Sequence, residues 1–296
     1  MQPLEKIKNI FEKYTTSYHF YLRDLRTGEE FELGTKKKYP ICSCFKLAVL
    51  MAVFEELNDK ADLNHSIVID PEEFSPGGGA IGYFDSAVTF TTYQLMQLMM
   101  SFSDSTATDY LIRSVGIEKV NARLSTHCGD SETKLEVGEM VKLFQANLRK
   151  DESRPTSLSD AGKVLIEKGS YSNATDLAAL ALASYNYKAK PMFHEIYNSI
   201  LRSKKFTPRT DLFYSEKVKF VGKTGSIGFG YYLNDCGVLE LNGEPIAVLA
   251  YTSEGWPLVR ELNELFAAKV GLNVSYLLGL HIENERWNLE SAEFLE

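Results

Sequence analysis

Basic residues are in short supply in this 296-residue chain: 32 Lys and Arg stand against 40 Asp and Glu, a formal charge of −8. With no surplus of cations to displace phosphate counterions, a nucleic-acid partner is not expected. Cysteine is scarce as well, with four residues at 42, 44, 128 and 236. Cys42 and Cys44 are too close together to be natural mates, no CxxC occurs, and reduced thiols are the expectation. His19, His65, His127, His194 and His281 are scattered without HExxH or comparable spacing, so neither a metal nor another cofactor is expected. The longest apolar run, Leu47 to Phe54, is far too short to span a bilayer. The opening MQPLEKIKNIFEKY carries acidic residues and no continuous apolar stretch, unlike a secretory signal. The expectation is a monomer without membrane or nucleic-acid partners, cytoplasmic as written, or periplasmic or secreted if a signal has been removed. Repeats and low-complexity linkers are missing too.

What is present is ordinary globular composition, 44% hydrophobic and 24% charged, in a chain long enough to bury a large core. Leu4, Ile7, Ile10, Phe11 and Tyr14 have helical spacing. Tyr18–Arg23 and Glu30–Leu33 read as strands joined by a turn at Arg26-Thr27-Gly28-Glu29. Helices are expected at Ser43–Asn58, Thr92–Met100, Thr106–Val115 (stopped by Gly116) and from an Asn173 cap to Ala183. Ser75-Pro76-Gly77-Gly78-Gly79 is a loop by composition. Residues 140–170 read as a long charged connection with one embedded helix. Strands return at Lys217–Val221, Asp235–Leu241 and Ile246–Tyr251, and a last amphipathic helix runs from near Pro257 to about Val270. Strands at both chain ends and helices between them imply an α/β (α+β) fold with one antiparallel sheet and a helical subdomain. The expected division is 1–40 with 202–296 for the sheet, and 41–201 for the helices.

Three short motifs carry chemistry. Ser43-Cys44-Phe45-Lys46 opens a helix, where residues three apart share a face and the helix dipole favours a developing oxyanion. A lysine with a lowered pKa can take the serine proton. Ser103-Asp104-Ser105 sits between two helices, where Ser103 can relay a proton to a leaving nitrogen. Lys223-Thr224-Gly225-Ser226 ends a strand: Lys223, Thr224 and Ser226 can hold a carboxylate, and the Ser226 and Ser43 amides can form an oxyanion hole. Each motif alone also suits a helix cap, a solvated lysine or a strand-end turn.

In this order and at domain-scale separations, the motifs resemble the class A β-lactamase and penicillin-binding serine hydrolase family. The resemblance runs through YPICSCFKLAVL, SPGGGAI, LMMSFSDSTATDYLI, HCGDSETKLE, SNATDLAALALA, VGKTGS and NDCGVL. It implies an antiparallel sheet from both chain ends flanked by helices, with Ser43 as acylated nucleophile, Lys46 its proton partner and Ser103 a proton shuttle. It implies substrate binding by Ser105, Lys223, Thr224, Gly225 and Ser226. Six residues after Thr133 of the GDxxT stretch stands Glu139, the implied activator of the deacylating water in the family's Ω-loop.

Departures from the family pattern touch substrate and water more than acylation. Ser105 stands where the family has asparagine, and Leu143 where another asparagine helps to hold the water. The stretch from Glu139 to Thr175 is long, and Leu233 stands in place of a basic residue for which Arg209 is a candidate substitute. The leading expectation is a small-molecule hydrolase opening a β-lactam amide through a Ser43 acyl-enzyme. Its alternatives are an amidase, esterase, peptidase or transferase on the same scaffold, or a penicillin-binding sensor that deacylates slowly.

Overall fold

Pro3 suits a first helical position, where its missing N–H leaves no bond unmade, and the apolar spacing that follows forms α1, Pro3–Tyr14. A computed structural model describes residues 2–148, 157–203, 209–210, 217–228, 230–257 and 260–280. The chain then forms β1 (Ser17–Asp24) and β2 (Glu30–Gly34), the expected hairpin, paired from Arg23↔Glu30 to His19↔Gly34, and enters a two-residue strand, β3 (Tyr39–Pro40). A single 3₁₀ turn, Cys42–Phe45, leads into α2 (Lys46–Glu56). From Lys46 to Phe54 every residue of α2 is buried, as in a helix that is apolar all round and lies at the centre of a core.

The helical part continues with α3 (Lys60–Leu63), the pair β4 (Ser66–Ile69) and β5 (Val88–Thr91), then α4 (Thr92–Ser101) and α5 (Ser105–Val115). Gly116, at φ 89°, ends α5 as expected, and a helix missed in the sequence, α6 (Ile117–His127), starts directly after it. Next come β6 (Glu132–Thr133), α7 (Val137–Leu148), α8 (Leu158–Glu167), β7 (Ser170–Ser172), α9 (Ala174–Tyr185) and α10 (His194–Leu201). The region expected to hold one helix thus holds α7 and α8. Asn173 caps α9, its side chain accepting the Asp176 amide.

The chain returns as β8 (Val218–Ile227), β9 (Tyr232–Leu241) and β10 (Glu244–Glu254), closed by α11 (Arg260–Leu277). Lys223-Thr224-Gly225-Ser226 lies inside β8 rather than past its end, because the ladder with β9 runs on to Ile227↔Tyr232. The five strands form one antiparallel sheet in the order β2-β1-β10-β9-β8, so both chain ends contribute to it and β8 is an edge. The α+β architecture expected from the sequence is the one observed.

Two apolar clusters flank the sheet. Phe20, Leu22, Leu249 and Tyr251 join α1 and α11 on one face, where Phe11 stacks on Tyr18 with ring centroids 4.6 Å apart. On the opposite face Tyr21, Val238, Val248 and Ala250 join α2 and the other helices. Burying one such large side chain stabilises the fold by about 1.5–3 kcal/mol. None of the four buried cysteines is in a disulfide. Among the described residues no helix is long and apolar enough to cross a membrane. His281 lies outside the described residues.

Candidate active site

The 3₁₀ turn places Ser43 one full turn before Lys46, whose amide donates to the Ser43 carbonyl. At three residues per turn, side chains three apart eclipse, so Ser43 and Lys46 project from the same side. Cys42, just before Ser43, has φ 52°, a left-handed backbone costing about 1–3 kcal/mol for a non-glycine residue. Three tethers hold the turn against the sheet. Asn234 of β9 donates through Nδ2 to the carbonyls of Pro40 (2.8 Å) and Ile41 (3.1 Å), while the Cys44 thiol donates to the Lys223 carbonyl across 3.6 Å.

Lys46 inherits its setting from α2. It is fully buried, and burial lowers its pKa to about 8, opposed by the negative charges of Asp104 and Asp109. Its Nζ donates to the Ser103 carbonyl at 2.7 Å and to the Ser103 hydroxyl at 3.2 Å. Lys223 Nζ, arriving from β8, donates to the same hydroxyl at 3.0 Å and to the Thr224 carbonyl at 2.9 Å. A hydroxyl has two lone pairs and one proton. With both lone pairs of Ser103 engaged by the lysines, its proton is left to point at a third group. Ser103 is itself held at φ 56° between α4 and α5.

The residue after Ser103 builds a wall. Asp104 is buried and accepts the amides of Ala80 (2.7 Å), Ile81 (2.8 Å) and Ala107 (2.8 Å), folding the glycine-rich loop over the site and capping α5. Gly79, at φ 129°, lies so near Asp104 that a Cβ would come within 2.3 Å of its Oδ2. Ser105 donates its amide to the Gly78 carbonyl at 2.9 Å.

These groups surround a cavity of about 710 Å³ whose lining includes Ser43, Ser103, Ser105, Thr224, Gly225 and Ser226. Lys46 and Lys223 lie behind its surface and reach it through Ser103. Arg209, weighed in the sequence as a substitute base, also lines the cavity and donates through Nη1 to the carbonyls of Gly225 (2.9 Å) and Asn234 (3.0 Å).

Glu139 is the exception. It is exposed on α7, its Oε2 accepts the Glu136 amide at 3.1 Å, and it does not line the cavity. The structure thus does not bring the residue expected to activate the deacylating water to the cavity; its carboxylate accepts an amide at the start of its own helix. Leu143, expected at the water site, packs against the core instead. Among the described residues no Asp or Glu lines the cavity; α7 offers it Val137, Met140, Val141, Phe144, Gln145 and Leu148.

Asp109 was missed in the sequence. Buried in α5, it accepts the amides of Val137 (2.7 Å) and Gly138 (2.9 Å) and so fixes the start of α7, while burial raises its pKa. An aspartate four residues after Ser105, at helical spacing, was the available signal; its partners lie 28 and 29 residues away.

A family profile described as "Beta-lactamase enzyme family" matches residues 2–276. The β-lactamase ROB-1 of Haemophilus influenzae is 26% identical over 132 residues, 44% of this chain and 42% of that protein, so the match spans less than half of the curated relative. Among solved structures, the β-lactamase of Sphaerobacter thermophilus superposes with a TM-score of 0.70 at 20% identity, covering 94% of this chain and 97% of its own. A PBP-A variant, solved as an acyl-enzyme complex with penicillin G, gives 0.71 at 18% identity over 94% and 96%. At these identities the likeness is one of fold.

Proposed function

The chain belongs to the β-lactamase enzyme family, and from that premise we propose that it is a serine hydrolase of the class A type that opens a small cyclic amide through an acyl-enzyme on Ser43. The observation that carries the reading is the meeting of Lys46 and Lys223 on one hydroxyl, that of Ser103, beside a cavity that Ser43 lines. In this reading the Ser43 oxygen attacks the carbonyl carbon and neutral Lys46 takes its proton. The amides of Ser43 and Ser226 receive the developing oxyanion, as an edge strand can do with its outward N–H groups. Ser103 passes its proton to the leaving nitrogen, and the two lysines resupply it. Thr224, Ser226 and Arg209 hold a substrate carboxylate, with Lys223 behind them, and Ser105 meets the substrate amide.

A second reading, a penicillin-binding protein that stays acylated, is favoured by one observation: the cavity side of α7 is apolar where the water-activating carboxylate was expected. Lys46 then remains the base nearest the acyl group, and deacylation is slow. The same proposal takes residues 1–40 with 202–296 as the sheet unit and 41–201 as the helical unit, with a free small molecule bound at their seam by a monomer.

Incubation with a chromogenic cephalosporin and a fluorescent penicillin, followed by turnover and intact mass, tests both. Steady turnover through a Ser43 adduct supports the hydrolase, and a persistent adduct supports the loaded protein. No adduct on Ser43 with any β-lactam removes both.

A further inference from the structure

The face of α7 turned to the cavity has residues 137, 140, 141, 144, 145 and 148, the i, i+3, i+4, i+7, i+8, i+11 spacing of one helix stripe. Gln145 is the one polar member. Val137, Met140 and Phe144 are buried in the main core and also touch the cavity, so the stripe forms one cavity wall about 16 Å long at 1.5 Å per residue. Leu165 of α8 and Phe102 beside Ser103 extend the apolar surface, and the nucleophile lines the same cavity. The other polar groups of the lining are Thr224, Ser226 and Arg209, with Ser43, Ser103 and Ser105, the last of them near Val141. The α7 wall of the cavity is thus mainly apolar, β8 and the serine motifs supply most of its polar groups, and Ser43 lines the same cavity.

Resting on the reading of Ser43 as nucleophile, we propose that the acyl portion of the substrate is an extended apolar chain or ring lying along α7, and that Phe144 sets how much of it fits. Phe144 is buried, and its Cζ would lie 2.8 Å from a Cβ on Gly228 in the β8–β9 turn, so the ring spans from helix to turn and closes that part of the cavity. A wall without charge removes no water from a polar headgroup; it rewards methylenes, by about fourfold in rate or affinity for each one buried.

The test uses p-nitrophenyl acetate, butyrate, hexanoate and octanoate, with the second-order rate of Ser43 acylation followed by p-nitrophenolate release and intact mass. The wild-type octanoate-to-acetate ratio is expected to exceed 100. Phe144→Ala moves the preferred length to longer chains, and Val141→Thr, which keeps volume but exchanges a methyl for a hydroxyl, lowers the ratio about tenfold. Because both esters are read in one sample, the ratio cancels any loss of folded protein. A wild-type ratio within threefold of one overturns the apolar acyl site while Ser43 labelling still upholds the nucleophile. If no ester labels Ser43, the reading of the nucleophile fails and the acyl site with it.

Discussion

A Cβ placed on Gly225 would lie 2.9 Å from the amide nitrogen of Ser43. The edge strand β8 and the turn bearing the hydroxyl are therefore in backbone contact, with Cys42 Cβ only 2.8 Å away on the same side. Neither of these neighbours is a flexible side-chain end, so a side chain at position 225 would have to displace the turn that carries Ser43.

Gly225→Ala is expected to push the turn from the strand and reduce acylation of Ser43 by about 10²–10³, the usual cost of misplacing an oxyanion donor. Stopped-flow acylation by a chromogenic cephalosporin reads this; a loss below threefold means that the two amides do not act together.

Lys46 should impose a pH dependence. Its pKa is lowered to about 8 by burial, and only the neutral amine accepts a proton. Acylation is then expected to rise about tenfold per pH unit up to pH 8, with roughly a tenth of the limiting rate at pH 7, and to level off above. Lys46→Met removes the rise together with most of the rate. A profile flat between pH 6 and 9 contradicts Lys46 as the base.

Ser103→Ala leaves the Nζ groups of Lys46 and Lys223 without their common acceptor and the leaving nitrogen without a proton source. The expected loss in kcat/KM is about 10²–10⁴ for an amide substrate and much smaller for a p-nitrophenyl ester, whose leaving group needs no proton. Equal losses for both would show that Ser103 only shapes the site.

Asp109→Ala strips two buried amides, those of Val137 and Gly138, of their acceptor. Denaturant unfolding is expected to show about 2–3 kcal/mol less stability. Glu139→Gln, by contrast, should leave both turnover and adduct lifetime within twofold of the parent, since the carboxylate is exposed and bonded to Glu136. Accumulation of an adduct in Glu139→Gln would restore Glu139 to the mechanism.

Much of this protein is determined locally and could be read from its residues. The β1–β2 hairpin, the caps at Asp104 and Asn173, the stop at Gly116 and the motifs at 43–46, 103–105 and 223–226 follow from alternation, capping chemistry and turn residues a few positions apart. Tertiary structure decided the rest, because the deciding partners are far apart in the chain. α7 receives its N-terminal acceptor from Asp109, 28 residues away, so its start could not be placed from local signals. Glu139, correctly spaced in a motif, was turned outward once residues 137–148 wound into a helix, which allots inward and outward positions by 100° steps rather than by likeness of sequence. The shared Ser103 acceptor is likewise a tertiary product: its two lysines lie 57 and 120 residues away, and only the packing of buried α2 against β8 brings them to it.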